Sequence, residues 1–319
     1  MKPILIGCPF DNGIQMMLRF RRGITGAADG PQAVLDQLQP HLGQAVPSVM
    51  LPLRKYNLST KADNVDDPAF IKRQHTLTEI AHNEITAQIQ QMCAQGFRPV
   101  AIGGDHSLTY PLCRGVGLAH PGKNFGVIYI DAHLDMRPLE TYQGISGLIS
   151  SGNSFRRLLA ESQVAGHNMA AIGIHRSTSE IFGQMTAFAA GHGVTIIYDD
   201  ECRQPQAVVQ RVFEAVQSGT DGLYVSVDID TIEAQVAPGV SAPAEQGLPV
   251  DFVWRLVEEI AKTQNVWGFD VVEVSSRQRA WFELYGQKFT EPVQERQRKL
   301  KKTARLAAEL IQCFLQTIL

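Results

Sequence analysis

Short apolar runs that stop at a carboxylate are the feature that most constrains this chain. Gly126-Val127-Ile128-Tyr129-Ile130 ends at Asp131, Leu223-Tyr224-Val225 leads through Ser226 and Val227 into Asp228, and a third run over 266–272 ends at Glu273. A strand with one face in water alternates apolar and polar residues, whereas a strand covered by helices on both faces is apolar nearly throughout. Further runs of this kind lie at Ile4–Ile6, Pro99–Ile102, Ala170–Ile174 and Val194–Tyr198. Helical patterning falls between them, over 31–40, 73–94, 153–163, 178–190, 205–218 and 250–262, and after the last strand over 293–317. Repeated strand-helix crossovers of this order predict a three-layer α/β/α fold with a predominantly parallel central sheet. The 319 residues suffice to build it as one domain, 1–319.

In such sheets the functional cleft lies beyond the carboxyl ends of the strands. Asp131, Asp228 and Glu273 all stand at such ends. Two of them open longer polar clusters, Asp131-Ala132-His133-Leu134-Asp135 and Ser226-Val227-Asp228-Ile229-Asp230. Residues two apart on an extended chain share a side, so each cluster converges if the strand runs on into its loop. Gly103-Gly104-Asp105-His106-Ser107 brings a second imidazole from another strand end, behind glycines that permit close backbone approach.

A lone Asp-x-Asp after a strand is ordinarily a turn or a helix cap. Four carboxylates (Asp131, Asp135, Asp228, Asp230) and two imidazoles (His106, His133) converging from separate strand ends are a different matter. Packed in a low-dielectric cleft they repel one another, and two divalent cations remove that penalty. Oxygen-rich ligands with two imidazoles favour Mn²⁺, although Zn²⁺, Fe²⁺, Co²⁺ and Ni²⁺ fit the same donors.

These motifs, GGDHS, DAHLD and SVDID, resemble those of the ureohydrolase superfamily of arginases, agmatinases and formimidoylglutamases. The resemblance runs from LIGCPFDNG and GITGAADGPQAV to VVEVS at 271–275. It implies an arginase-like catalytic domain holding two Mn²⁺ ions. His106, Asp131, Asp135 and Asp228 would hold one ion and His133, Asp131, Asp228 and Asp230 the other, with Asp131 and Asp228 bridging. It further implies hydrolysis of an amidine or guanidinium carbon–nitrogen bond by a metal-bridging hydroxide, which Asp135 orients while Glu273 pairs with the cationic amidine.

Within the superfamily, Ser151-Gly152-Asn153-Ser154-Phe155-Arg156, Gly173-Ile174-His175-Arg176-Ser177 and APGVSAP at 237–243 look most like formimidoylglutamases. The histidine that arginases place two residues beyond this asparagine is Phe155 here. The implied substrate, N-formimidoyl-L-glutamate, joins an amidine to two carboxylates, which guanidinium groups bind bidentately. Arg137, Arg156 and Arg176 are the candidates, with Asn153 as an added donor and His175 as a possible proton donor. An agmatinase-like or other guanidino ureohydrolase is the nearest alternative, and a non-enzymatic metal-binding or assembly protein the more distant one. Departures from the family pattern lie at Thr231–Gln235, where DPA is usual, and from Ser275 onward.

Other features narrow the partners to a small molecule. A net charge of −3 offers no basic surface for a nucleic-acid backbone. No apolar stretch is long enough for a signal sequence or a membrane span. The 5 scattered cysteines suit free thiols in a reducing compartment, so a cytoplasmic protein is expected. The helix at 293–317 could cover the sheet or join a homo-oligomer. Trp254, Trp267 and Trp281 read as core or interface aromatics.

Overall fold

The computed structural model describes residues 1–18, 25–42, 46–58, 67–140, 144–216, 219–244, 246–263, 265–276 and 292–319. Trp281 and the divergent stretch at 277–291 lie outside the described residues.

Among the described residues, eight strands form one sheet: β1 Lys2–Cys8, β2 Ser48–Met50, β3 Phe97–Gly103, β4 Phe125–Ile130, β5 Met169–Ile174, β6 Thr195–Tyr198, β7 Gly222–Asp228 and β8 Val266–Val272. Their spatial order is β2-β1-β3-β8-β7-β4-β5-β6, and every neighbouring pair is parallel. The described helices are α1 Asn12–Leu18, α2 Gly30–Leu42, α3 Pro68–Ala94, α4 Thr109–Ala119, α5 Ser154–Ala160, α6 Glu180–His192, α7 Pro205–Val216, α8 Val250–Thr263 and α9 Val293–Ile318.

Strand parity sorts the core into two apolar layers. Val100, Ile102, Ile128, Ile130, Val225, Val227, Phe269 and Val271 pack beneath residues of α2, α7, α8 and α9. Ala101, Val127, Tyr129 and Tyr224 face the opposite way, toward α3, α4, α5 and α6. This is the three-layer architecture expected from the apolar runs. Helix α9 covers the sheet through buried Ala304, Ala307, Leu310, Ile311 and Phe314, and the Phe314 ring stacks 4.2 Å from that of Phe269.

Three elements were not foreseen. Strand β2 has three residues, set between Pro47 and Pro52 at the sheet edge, too short to show a period. Helix α4 contains Pro111, Gly115 and Gly117, which read as breakers. Its glycines serve close packing: a Cβ on Gly115 would lie 2.7 Å from Ile89 Cβ of α3, and one on Gly117 would lie 2.7 Å from Phe125. Helix α1 is seven residues long, short for its periodicity to register. Conversely, α3 begins earlier than 73, because the Asp67 carboxylate accepts the Ala69 N–H and Pro68 takes the first helical position.

No helix among the described residues is long and apolar enough to cross a membrane.

Candidate metal centre

The four central strands, β3, β8, β7 and β4, each deliver one acidic or imidazole group to the same end of the sheet. His106 follows β3, Glu273 follows β8, Asp228 ends β7 and Asp131 follows β4. The glycine pair after β3 permits the approach: a Cβ on Gly104 would lie 1.7 Å from the Phe10 carbonyl oxygen, and one on Gly103 would lie 2.5 Å from Val272 Cγ1.

His106 Nδ1 lies 3.1 Å from Asp131 Oδ2, 3.2 Å from Asp135 Oδ2 and 3.1 Å from Asp228 Oδ2. His133 Nδ1 lies 3.5 Å from Asp131 Oδ1 and 3.2 Å from Asp230 Oδ2. Two groups with metal-ligand spacing result, His106–Asp131–Asp135 and Asp131–His133–Asp230, and Asp131 belongs to both.

The convergence does not come from extended chain, as the two-residue spacing had suggested. Strand β4 stops at Ile130, Asp131 Oδ1 accepts the His133 N–H at 2.6 Å, and Asp135 sits in the left-handed region at φ 44°. After β7, Asp228 Oδ1 accepts the Asp230 N–H at 2.8 Å and caps a single helical turn over Ile229–Thr231. Tight turns, held by the carboxylates themselves, bring the alternate residues together.

Burial opposes charge here, and the neighbours decide the balance. Desolvation works to raise the Asp131 pKa, but the His106 and His133 imidazoles beside it outweigh this and hold the carboxyl at about 2. Desolvation, then Asp230 and Asp131, drive Asp228 well above the usual carboxylate range. His106 and His133 are held well above the ordinary imidazole value: desolvation opposes this, and the carboxylates around them prevail.

The donor set fits divalent cations on one further observation. His106 Nδ1, Asp131 Oδ2 and Asp230 Oδ1 are buried without a hydrogen-bond partner. Buried acceptors left unpaired cost about 1–3 kcal/mol each, more when charged, and all three belong to the two ligand groups.

Beside the cluster opens a cavity of about 520 Å³, within the usual range for small-molecule sites. Ile14 and Met17 of α1 and Phe182 and Met185 of α6 form apolar parts of its wall, and Ser177, Ser179 and Ser241 add hydroxyls. Glu273 also lines it, buried, with φ 67°. Its Oε1 accepts the His106 N–H at 2.9 Å and its Oε2 accepts the Ser241 hydroxyl at 2.6 Å. Desolvation and the nearby Asp105 raise its pKa well above the ordinary value.

The residues expected to contact substrate are placed differently from one another. Arg137 lines the cavity, but Asn153, Arg156 and Arg176 do not. Asn153 is buried, its Oδ1 accepting the Ser150 N–H at 3.0 Å and its Nδ2 donating to the Leu148 carbonyl at 2.8 Å. Arg156 donates to the Met136 carbonyl at 3.1 Å and lies 3.8 Å over the Phe188 ring. Arg176 reaches outward to Asp200 and Glu201 and lies 3.5 Å over the Tyr198 ring. His175 takes the cavity position instead, its Nδ1 2.7 Å from Asp199 Oδ2. Phe155 does not line the cavity; it is fully buried, stacked on Tyr129 and edge-on to His106.

Several supporting groups escaped the sequence reading. Asp105 Oδ2 accepts the Ile14 N–H at 3.0 Å, tying the α1 wall to the His106 turn, and its Oδ1 accepts the Ser107 N–H at 2.9 Å. Asp270, inside the apolar run of β8, sits at zero exposure beneath His106. Its one visible signal was a carboxylate where the pattern demanded an apolar residue.

Comparison with known proteins is consistent with this geometry. The Arginase family model matches residues 1–316. A formimidoylglutamase of Rhodococcus opacus is 30% identical over 282 residues, covering 85% of this chain and 78% of that protein. The crystal structure of formimidoylglutamase from Bacillus subtilis superposes with a TM-score of 0.73 at 23% identity, covering 100% of this chain and 87% of that one. Arginase from Bacillus subtilis superposes with a TM-score of 0.70 at 20% identity, covering 99% and 98%. One fold thus carries both activities, and the substrate has to be argued from the cavity.

Proposed function

The chain belongs to the arginase family, and from that premise we propose that it hydrolyses N-formimidoyl-L-glutamate to L-glutamate and formamide. Coarser than this, it is a metal-dependent hydrolase of the ureohydrolase superfamily acting on an amidino or guanidino compound. The observation that carries the finer reading is the company Arg137 keeps. One guanidinium lines the same cavity as the carboxylate cluster and Glu273, a pairing that suits a substrate cationic at one end and anionic at the other. Relatives named formimidoylglutamase support the same choice.

In this reading the whole of 1–319 is one catalytic unit. His106, Asp131, Asp135 and Asp228 hold one cation, and His133, Asp131, Asp228 and Asp230 the other. The oxygen-rich donor set favours Mn²⁺ for both. Bound there, the two ions supply a water acidified enough to attack near neutral pH and a field that stabilises charge at the carbon it attacks.

The protein's own groups do the rest. Glu273, anchored by the His106 N–H and the Ser241 hydroxyl, presents its remaining lone pairs to the amidine and orients its trigonal carbon. Asp135, which lines the cavity with its Oδ2 3.2 Å from His106 Nδ1, accepts a proton from the attacking water. The new carbon–oxygen bond forms first and makes the carbon tetrahedral; Asp135 then passes its proton to the glutamyl nitrogen, and the bond to that nitrogen breaks, releasing L-glutamate and formamide. Arg137 holds a carboxylate at the far end, and the Ile14, Met17 and Phe182 walls exclude bulk water.

The test is a substrate panel. Protein reconstituted with Mn²⁺ is offered N-formimidoyl-L-glutamate, agmatine, arginine and guanidino acids, and formamide and urea are measured. Formamide release from the first is expected; urea without formamide would reassign the substrate to the agmatinase-like or other guanidino branch. Full metal occupancy with neither product would favour a metal-binding or assembly role.

A further inference from the structure

We propose that Asp270, acting through Ser226, is a positioning residue that holds His106 in the tautomer a cation requires. Asp270 on β8 and Ser226 on β7 are register partners across the sheet, so their side chains rise from the same face side by side. Ser226 Oγ donates to Asp270 Oδ1 at 2.6 Å. The carboxylate is fixed at its other oxygen as well, where Thr109 Oγ1 donates to Oδ2 at 3.0 Å and Tyr224 OH at 2.7 Å. All four side chains are buried.

The direction of the first bond determines the next. With its proton committed to Asp270, Ser226 Oγ has only lone pairs left for His106 Nε2, which lies 3.2 Å away. Nε2 must then carry the hydrogen. In the neutral ring that leaves Nδ1 bare, and Nδ1 is the nitrogen that faces Asp131, Asp135 and Asp228 at 3.1–3.2 Å. Without Asp270 the Ser226 hydroxyl could donate to Nε2, favouring the opposite tautomer, whose Nδ1–H faces the cation position. The hydroxyl between the two residues therefore relays an orientation rather than a charge. Partners of this kind, placed behind a ligating histidine, change metal affinity by about 10- to 100-fold when removed.

The relay ends on His106, so its loss falls on the ion His106 holds. The inference rests on the two-cation reading and is independent of the substrate. Metal-stripped wild type, Asp270→Ala, Ser226→Ala and Tyr224→Phe are titrated with Mn²⁺ and followed by electron paramagnetic resonance, with thermal melts alongside. Wild type should bind two equivalents and show the signal of a spin-coupled pair. Asp270→Ala, which leaves Ser226 no acceptor at this position, and Ser226→Ala should keep one equivalent at wild-type affinity and bind the second about 10- to 100-fold more weakly, with a mononuclear signal at intermediate metal. Tyr224→Phe, which loses a bond to Asp270 but leaves the Ser226 contact, should melt earlier and retain both equivalents. Ser226→Ala removes a single oxygen and keeps the test open if Asp270→Ala does not fold. Folded variants that bind both equivalents as wild type does, even with lowered melting temperatures, would overturn the relay. A wild type that binds fewer than two would overturn the two-cation reading with it.

Discussion

Replacing Arg137 by methionine isolates the end of the cavity that distinguishes a dicarboxylate substrate from a neutral one. The change keeps the length of the stem, which lies along Gly152: a Cβ there would be 2.8 Å from Arg137 Cδ. It also keeps the main-chain bond from the Arg137 N–H to the Gly152 carbonyl at 2.9 Å, so the loop leaving the metal centre stays in place. The contact to the substrate carboxylate is charge-assisted and worth about 1.5–3 kcal/mol. At 1.36 kcal/mol per decade this corresponds to a fall of about 10- to 150-fold in kcat/KM. The carboxylate is remote from the reacting carbon and is held alike in substrate and transition state, so the loss should appear in KM with kcat nearly kept. The assay is formamide release by wild type and Arg137→Met from N-formimidoyl-L-glutamate, and from an N-formimidoyl alkylamine with no carboxylate. The penalty should vanish with the neutral substrate. An equal penalty on both would show that the guanidinium supports the loop or the metals instead, and no penalty on either would remove it from recognition.

Other outcomes bear on the centre and its supports. Asp131 belongs to both ligand groups and Asp230 to one; Asp131→Asn should therefore lose both metal equivalents and Asp230→Asn only one, by elemental analysis after dialysis. Equal losses would refute the sharing. Chelation should lower the melting temperature, since a ligand at 100 times its Kd stabilises the fold by about 2.7 kcal/mol; an unchanged melt at saturating Mn²⁺ would contradict binding to the native state. Phe155→Ala, deleting a fully buried ring stacked 3.6 Å from Tyr129, should cost about 3–5 kcal/mol in urea unfolding. A cost typical of surface sites, within about 0.5 kcal/mol, would mean the ring is not part of the core.

The sequence was most legible where strand period and residue chemistry coincide. Apolar runs ending in carboxylates located β4, β7 and β8 and placed Asp131, Asp228 and Glu273 at one end of the sheet. It was least legible where a single backbone irregularity reverses parity. Within β5, Ile172 packs on the α7 and α8 side while Ile174 packs on the α6 side, because the register shifts between them at Gly173, which has φ 91°. That shift helps bring His175 to the cavity and leaves Arg176 outside, reversing the choice residue type alone suggested. Asp270 was hidden for another reason: its partners Thr109, Tyr224 and Ser226 come from α4 and β7, and only the assembled sheet brings them together.

The ordinary reading of an Asp-x-Asp, a turn cap, and the ligand reading turn out to occupy different atoms of one side chain. Asp131 accepts the His133 N–H with Oδ1 and turns Oδ2 to His106 Nδ1; Asp228 accepts the Asp230 N–H with Oδ1 and turns Oδ2 to the same nitrogen. Asparagine at either position could still cap the turn through its carbonyl oxygen, but its other terminus would be a donor facing cations. Glutamate would keep the charge but reach too far to close a turn with the amide two residues on. The spacing that builds the loop thus requires the short side chain, and the chemistry at its tip requires both oxygens. Aspartate, recurring at the first position of each pair, meets both demands.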